Sequence, residues 1–84
     1  MERKEIERKV KSIIFDQVAS AIHGNPEEIN MEASLESHYG ADSLDILEMA
    51  LDLEEEFRVN IPDSDLEKMD TGNDIVNYLE KKVI

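Results

Sequence analysis

Apolar residues recur at helical spacing along three stretches of the chain, and no stretch shows the alternation of a β-strand. In the first stretch the apolar positions are Ile6, Val10, Ile13, Ile14, Val18, Ala21 and Ile22. Their spacing predicts a helix with one buried face. Phe15 lies beside this stripe, where it can reach the edge of a neighbouring helix. Gly24 and Pro26 predict that the helix ends near His23.

The first helix is followed by a long connection, residues 24–42, which spans 19 residues. Connections of this length are uncommon in small domains unless they have a function or a wide gap to bridge. Four apolar residues are spaced so that the connection can cross the core and be fixed on it. They are Ile29, Met31, Leu35 and Tyr39.

The second helix, predicted over residues 43–57, has two separate apolar stripes. The core stripe consists of Ile46, Met49, Ala50, Leu53 and Phe57. A second stripe, displaced by roughly 130° around the helix, consists of Leu44, Leu47 and Leu51. Its far flank is acidic, with Asp45, Glu48, Asp52, Glu55 and Glu56. Because a surface helix needs only one apolar face, the second stripe either packs between neighbouring helices or binds a partner. We favour the partner.

The remainder of the chain predicts an extended connector, a short helix and a last helix. Pro62 disfavours helix in the residue before it. Ser64 and Glu67 have the spacing of a capping box for a short helix, and Thr71 is expected to cap the last helix in a similar way. The buried stripe of the last helix is expected to be Ile75, Val76, Leu79 and Val83, and its last turn contains Lys81 and Lys82. We therefore predict an all-α fold, a small bundle of three principal helices plus one short helix.

Charge is unevenly distributed along the chain. The sequence has 21 Asp and Glu against 9 Lys and Arg, a formal net charge of −12. Residues 1–12 carry +2, so the remainder carries −14. Nucleic acid and anionic membranes need Lys or Arg to neutralise phosphate, which makes both poor partners for this surface. A basic protein partner is the natural alternative, although acidity that serves only solubility is equally compatible with the composition.

Length and residue usage predict one small domain, residues 1–84, that we expect to be monomeric. Such a domain buries only about 60% of its unfolded-chain surface. The chain has no cysteine, so helix packing rather than disulfides must stabilise it. The charged N-terminal residues and the lack of a long apolar run predict a cytoplasmic protein that does not insert into a membrane.

The most informative polar motif is Asp42-Ser43-Leu44, where the long connection meets the second helix. Asp and Ser both favour helix N-termini, and we expect Ser43 in the exposed first turn with its hydroxyl outward. Free backbone N–H groups and the helix dipole make such a position favourable for a phosphate. The motif alone is equally compatible with a simple cap.

Catalytic and metal-binding alternatives find little support in the sequence. A calcium loop counted from Asp63 would place Lys68 where glycine is needed and Asp74 where glutamate is needed. His38 could approach Ser43, but a hydrolase would also require an orienting group and an oxyanion hole, and neither is visible. We therefore predict no catalytic residue and no metal site.

Three segments together resemble the acyl carrier protein family. They are Gly40-Ala41-Asp42-Ser43-Leu44-Asp45, Leu53-Glu54-Glu55-Glu56-Phe57 and Asn60-Ile61-Pro62-Asp63, and the resemblance covers roughly residues 6–83. It implies that Ser43, flanked by Asp42 and Leu44, carries a 4′-phosphopantetheine arm. A phosphopantetheinyl transferase would attach the arm, whose thiol holds acyl groups as thioesters in fatty-acid or related biosynthesis. The chain would then be a carrier and a substrate of partner enzymes rather than an enzyme.

The resemblance also assigns the partner surface. It implies that acyl-transferring or acyl-elongating enzymes bind the second helix through basic patches on their own surfaces. The residues they would contact are Leu44, Leu47, Glu48, Leu51, Asp52 and Glu55. The family pattern is altered at His38, Tyr39 and Asp52, and the first helix begins with unusual basicity. These differences leave open whether the carrier serves general fatty-acid synthesis or a dedicated pathway such as lipid A, lipoate, polyketide or aminoacyl transfer. The alternative from another class is an acidic helical adaptor without a prosthetic group.

Overall fold

Four α-helices and one short 3-10 helix make up the computed structural model, which describes residues 1–18 and 24–83. The helices are α1 (Arg3–Val18), α2 (Ser43–Phe57), α3 (Asp63–Leu66) and α4 (Gly72–Lys82), with the 3-10 helix at Pro26–Glu28. The described residues contain no strand, and one isolated bridge joins Ser34 to Thr71. The predicted all-α class is therefore confirmed. The predicted helix end near His23, with Ala21 and Ile22, lies outside the described residues.

The core is built around α1, which packs against both α2 and α4. Helix α1 contributes the buried residues Ile6, Val10, Ile14 and Val18. Ile13, the other described residue of its predicted stripe, is half-buried. The facing residues are Met49, Ala50, Leu53 and Phe57 from α2 and Ile75, Val76 and Leu79 from α4. Burial of each Val, Leu, Ile, Met or Phe side chain among these stabilises the fold by about 1.5–3 kcal/mol. Ile46 and Val83, which the sequence places in buried stripes, are only partly buried, and Val83 lies just beyond the end of α4.

The long connection between α1 and α2 is fixed to the core and to α4. Ile29 and Leu35 are buried, as their spacing predicted. The Leu35 amide donates to the Asp70 carbonyl at 2.8 Å, and the Asn73 amide donates to the Met31 carbonyl at 2.9 Å. These bonds hold the connection against the junction of α3 and α4, so it reaches Ser43 as an ordered segment.

Side-chain caps fix the starts of α2 and α4. Thr71 Oγ1 accepts the Asp74 amide at 3.1 Å, and Asp74 Oδ2 accepts the Thr71 amide at 3.1 Å. This reciprocal pair confirms the predicted cap of α4. The predicted cap at Ser64 is wrong: α3 begins at Asp63, its N-cap is Pro62, and no side chain caps it. The proline ring fixes φ at −62° and lets the helix start two residues earlier, which places Ser64 inside the first turn.

The turn after α2 is held by both neighbouring helices. Arg58 ends α2 with a left-handed backbone, φ 54° and ψ 49°. Glu54 Oε2 then accepts the Ile61 amide at 2.8 Å, and Lys82 Nζ donates to the Asn60 carbonyl at 3.1 Å. Among the described helices, none is long and apolar enough to cross a bilayer.

Candidate functional site

Ser43 lies at the first position of α2 with its side chain exposed. The residue before it, Asp42, is the N-cap, and its Oδ1 accepts the Asp45 amide at 2.9 Å. Asp45 Oδ2 accepts the Asp42 amide at 3.1 Å in return. The two carboxylates are thus turned toward backbone donors of the cap, and the Ser43 hydroxyl is left outside this arrangement. The predicted position of Ser43 in the first turn is confirmed.

The turn that leads into the cap depends on Gly40. Its φ is 70°, in the left-handed region that glycine adopts with little cost. The next amide, that of Ala41, donates to the Leu35 carbonyl at 2.9 Å. This turn joins the connection to α2 and directs Ser43 toward solvent.

The start of α2 offers backbone donors beside the Ser43 hydroxyl. The amides of Ser43 and Leu44 have no acceptor among the described residues, whereas the Asp45 and Ile46 amides bond to Asp42. Free N–H groups at a helix start stabilise an anion together with the helix dipole. A phosphodiester on the Ser43 oxygen would therefore meet favourable dipoles.

An apolar crevice opens next to Ser43, between the start of α2 and the segment that contains α3. Its apolar lining consists of Ala41, Ile46, Leu47, Leu66 and Met69. Its polar lining, besides Ser43, consists of Glu36, Asp42, Asp63, Glu67 and Asp70. A short apolar group attached near Ser43 can therefore leave water without entering the core.

The second apolar stripe of α2 faces solvent along the length of the helix. Leu44, Leu47 and Leu51 are 61%, 49% and 64% exposed. The hypothesis that this stripe is wedged between helices is therefore wrong for the described residues, and the stripe is available to a partner.

Of the acids predicted to flank that stripe, Glu48, Asp52 and Glu55 are exposed. Asp52 accepts a bond from Gln17 at 3.3 Å. Glu56 does not belong to a free flank, because it pairs with Lys9 of α1 at 3.3 Å. The acidic surface beside the leucines is therefore narrower than the sequence predicted.

A contact behind α3 was not predicted from the sequence. Tyr78 Oη donates to Asp65 Oδ2 at 2.6 Å, and the ammonium of Lys82 lies 5.3 Å from the Tyr78 ring centroid. Burial and the bond to Asp65 raise the pKa of the Tyr78 hydroxyl. No local pattern signals this pair, because the two residues lie on different helices.

Helices of this order around a solvent-facing serine at the start of α2 define a class of small helical proteins that carry a covalent group. A family described as "Phosphopantetheine attachment site" matches residues 12–79. The acyl carrier protein of Bdellovibrio bacteriovorus is 47% identical over 77 residues, 92% of this chain and 94% of that protein. The acyl carrier protein of Thermotoga maritima is 44% identical over 81 residues, 96% of this chain and 95% of that protein.

A solved structure of the acyl carrier protein from Enterococcus faecalis has a similar fold. It superposes with a TM-score of 0.73 at 30% identity, covering 94% of this chain and 95% of that one. The chain belongs to the acyl carrier protein family. Its function is to carry acyl groups on 4′-phosphopantetheine. An acidic adaptor without a prosthetic group does not agree with these findings.

The residues around Ser43 fit such an arm. An exposed hydroxyl is available for attachment, free amides lie beside it, and the crevice next to it has an apolar part. When bound, the group supplies a terminal thiol, which this chain lacks because it has no cysteine.

Proposed function

We propose that Ser43 is the residue that receives the 4′-phosphopantetheine arm. The observation that carries this assignment is its exposed hydroxyl at the first position of α2, with unbonded amides and the apolar crevice beside it. Asp42 has an indirect role: its capping bond to Asp45 fixes the start of the helix. Leu44 supplies one of the free amides and an exposed apolar side chain.

In this proposal the chain is a substrate of other enzymes and catalyses nothing itself. A phosphopantetheinyl transferase forms a bond between Ser43 Oγ and the phosphorus of coenzyme A that bears the pantetheine. The phosphoanhydride bond of coenzyme A breaks, adenosine 3′,5′-bisphosphate leaves, and the serine proton passes to a base on the transferase. The residues of this chain present the oxygen and the helix start.

We further propose that α2 is the surface on which partner enzymes dock. Leu44, Leu47 and Leu51 supply the apolar contact, and Glu48, Asp52 and Glu55 supply charge for basic patches on the transferase and on acyl-transferring enzymes. The exposure of the leucines supports this assignment, because large apolar side chains in a row on a surface mark interaction sites. A single domain over residues 1–84, a monomeric state and a cytoplasmic location stay predictions.

Intact mass spectrometry after reaction with coenzyme A and a phosphopantetheinyl transferase tests the attachment site. We expect the mass of one arm on the wild-type chain and none on Ser43→Ala, with the helical circular dichroism unchanged. Ser64→Ala is a matched control, since Ser64 is also an exposed serine in the first turn of a helix, and it should be modified like the wild type. Modification that persists in Ser43→Ala, on Ser34 or Ser37 for example, would refute the assignment.

A further inference from the structure

One wall of the apolar crevice is a separate segment of the chain, residues 62–69, which contains α3. It contributes Asp63, Leu66, Glu67 and Met69 to the lining. The facing wall comes from the end of the connection and the start of α2. The width of the crevice beside Ser43 therefore depends on how far segment 62–69 stands from α2.

Both ends of this segment are firmly tied. Just before it, the Ile61 amide donates to Glu54 Oε2 at 2.8 Å. Just after it, Asp70 accepts the Leu35 amide through its carbonyl and the Ser34 hydroxyl through its carboxylate, each at 2.8 Å. The ends act as fixed points about which the middle of the segment can move.

The middle of the segment is tied to the other helices by one hydrogen bond among the described residues. The backbone bonds of residues 62–69 all stay within the segment. The hydrogen bond that links the segment to another helix is the 2.6 Å bond from Tyr78 Oη to Asp65 Oδ2. Besides that bond, the buried side chain of Leu66 and the partly buried side chain of Met69 hold the segment against the core.

The bond lies behind the crevice wall rather than in it. Neither Asp65 nor Tyr78 lines the crevice, so removing the Tyr78 hydroxyl changes no surface that a guest would touch. If removal of the Tyr78 hydroxyl changes which acyl groups the crevice admits, the cause is therefore a movement of segment 62–69.

A long acyl chain cannot enter the crevice without moving a wall. The core side chains Leu53, Ile75 and Val76 are fully buried, and protein interiors are close-packed with few voids. The segment 62–69 is the wall that yields, because α2 is held along its buried stripe whereas the segment is held by one hydrogen bond, the buried Leu66 and the partly buried Met69.

We propose that the Tyr78–Asp65 hydrogen bond is a latch that limits how large an uncharged acyl group the crevice beside Ser43 admits. The inference rests on the proposed attachment at Ser43. Short groups fit while the latch is closed, and long saturated chains enter only when it breaks. Tyr78 and Asp65 are thus positioning residues for the cargo, acting through the segment 62–69.

The test measures how well the thioester is shielded from hydroxylamine, which attacks the carbonyl carbon and releases a hydroxamate and the free thiol. A phosphopantetheinyl transferase loads the chain from acetyl- or dodecanoyl-coenzyme A, and intact mass follows cleavage. Loss of a hydrogen bond to a charged acceptor changes an equilibrium by roughly ten-fold. Dodecanoyl Tyr78→Phe should therefore be cleaved up to about ten-fold more slowly than the dodecanoyl wild type. The acetyl forms should be cleaved equally fast.

Four further variants separate the latch from general effects on folding. Asp65→Ala should match Tyr78→Phe, and the double variant should exceed neither. Asp65→Asn retains an oxygen acceptor and should lie between Asp65→Ala and the wild type. Tyr39→Phe is the matched control: it removes a hydroxyl that accepts the Asn30 amide at 2.7 Å outside the crevice lining, and it should behave like the wild type.

The unloaded proteins supply a second readout. Thermal melts of unloaded Tyr78→Phe should show a midpoint equal to or below that of the wild type, so slower cleavage could not arise from a tighter fold. Equal cleavage of the dodecanoyl wild type and Tyr78→Phe, or faster cleavage of the variant with both cargoes, would overturn the latch alone. Failure to load any arm on Ser43 would overturn the attachment site and the latch together.

Discussion

Ser43 is presented to solvent by the backbone on either side of it rather than by distant contacts. Gly40 allows the left-handed turn, with φ 70°, and the Asp42–Asp45 capping box makes Ser43 the first residue of the helix. These residues lie within six positions of one another, which is why the sequence alone could place the serine correctly.

Arg58 is strained in a way that a substitution can relieve. It adopts φ 54° at the end of α2, a conformation that is unfavourable for residues with a Cβ and common for glycine at this place. Arg58→Gly should raise the free energy of unfolding by about 0.5–1 kcal/mol, measured by urea denaturation. Arg58→Ala removes the same side chain but keeps the Cβ, and it should give no comparable gain. If both variants were equally stable, the backbone strain would be negligible.

Asp74 makes stability depend on pH. Hydrogen bonds from the Asp70 amide and from Thr71 lower the pKa of its carboxyl from 3.8, against a smaller opposing effect of burial. Because the pKa is lower in the folded chain, the ionised carboxyl stabilises the fold above the unfolded value. That stabilisation is lost as the pH falls through the folded value.

We therefore expect Asp74→Asn to be less stable than the wild type at neutral pH, with a difference that shrinks as the pH falls below about 4. Urea denaturation at a series of pH values measures it. Asp63→Asn removes the same charge from a residue that makes no side-chain hydrogen bond in the described part of the chain, and it should show no such convergence. A difference between wild type and Asp74→Asn that is independent of pH would contradict the role assigned to the ionised carboxyl.

At the scale of the helices, α2 has two apolar faces with different partners. Leu53 is fully buried against the bundle, whereas Leu47 is half exposed on the opposite stripe. Because both residues are leucines of the same helix, the same substitution at each of them distinguishes an effect on folding from an effect on docking.

Binding kinetics and thermal melts of matched variants test this division. Leu53→Ala should cost about 2–5 kcal/mol of stability. Leu47→Ala should leave stability nearly unchanged and speed dissociation from the transferase, with little dependence on salt. If Leu47→Ala destabilised the fold as much as Leu53→Ala and left the kinetics unchanged, docking would involve another surface.

Charge variants test the acidic flank of the same helix. Glu48→Lys should slow association with the transferase, and the loss should shrink at high salt, because charges at the rim of an interface act mainly on encounter rates. Glu32→Lys makes the same charge change on an exposed residue of the connection and should have a smaller effect. If both substitutions slowed association equally, the net charge of the chain, rather than the acidic flank of α2, would be what attracts the transferase.

The sequence predicted the elements whose cause is local and missed those that depend on packing. The periodicity of α2 identified both of its stripes, and Thr71 was recognised as a cap because its partner is three residues away. The Ser64 cap was wrong, since Pro62 had already fixed the start of α3. The Tyr78–Asp65 bond could not be predicted, because it depends on the position of α3 over α4, which no local pattern specifies.

At the scale of the whole molecule, most acidic charge has no basic partner nearby. Among the described residues, the ion pairs involve two cations: Arg3 with Glu7 and Glu80, and Lys9 with Glu5 and Glu56. Both cations belong to the N-terminal segment, whereas residues 13–84 carry −14. Self-repulsion of this kind destabilises a compact state.

Added salt should therefore raise the thermal midpoint. Screening shortens the Debye length from about 30 Å at 0.01 M to about 10 Å at 0.1 M ionic strength. Millimolar magnesium should raise the midpoint further than sodium at matched ionic strength, because a divalent ion can bridge carboxylates. Thermal melts followed by circular dichroism measure both effects. A midpoint that responded to neither ion would mean that the charges are already compensated within the fold.

The hydrogen bonds between the long connection and the start of α4 also determine which parts of the molecule unfold together. Met31 is joined to Asn73, and Leu35 to Asp70, so the connection cannot open locally without releasing the start of α4. Segments linked in this way behave as one cooperative unit. The end of the connection and the start of α2, which bear Ser43, consequently have the same free energy of local unfolding as α4. This holds although half of that region is loop. An approaching enzyme meets a connection and a helix start that keep their shape until α4 itself begins to unfold.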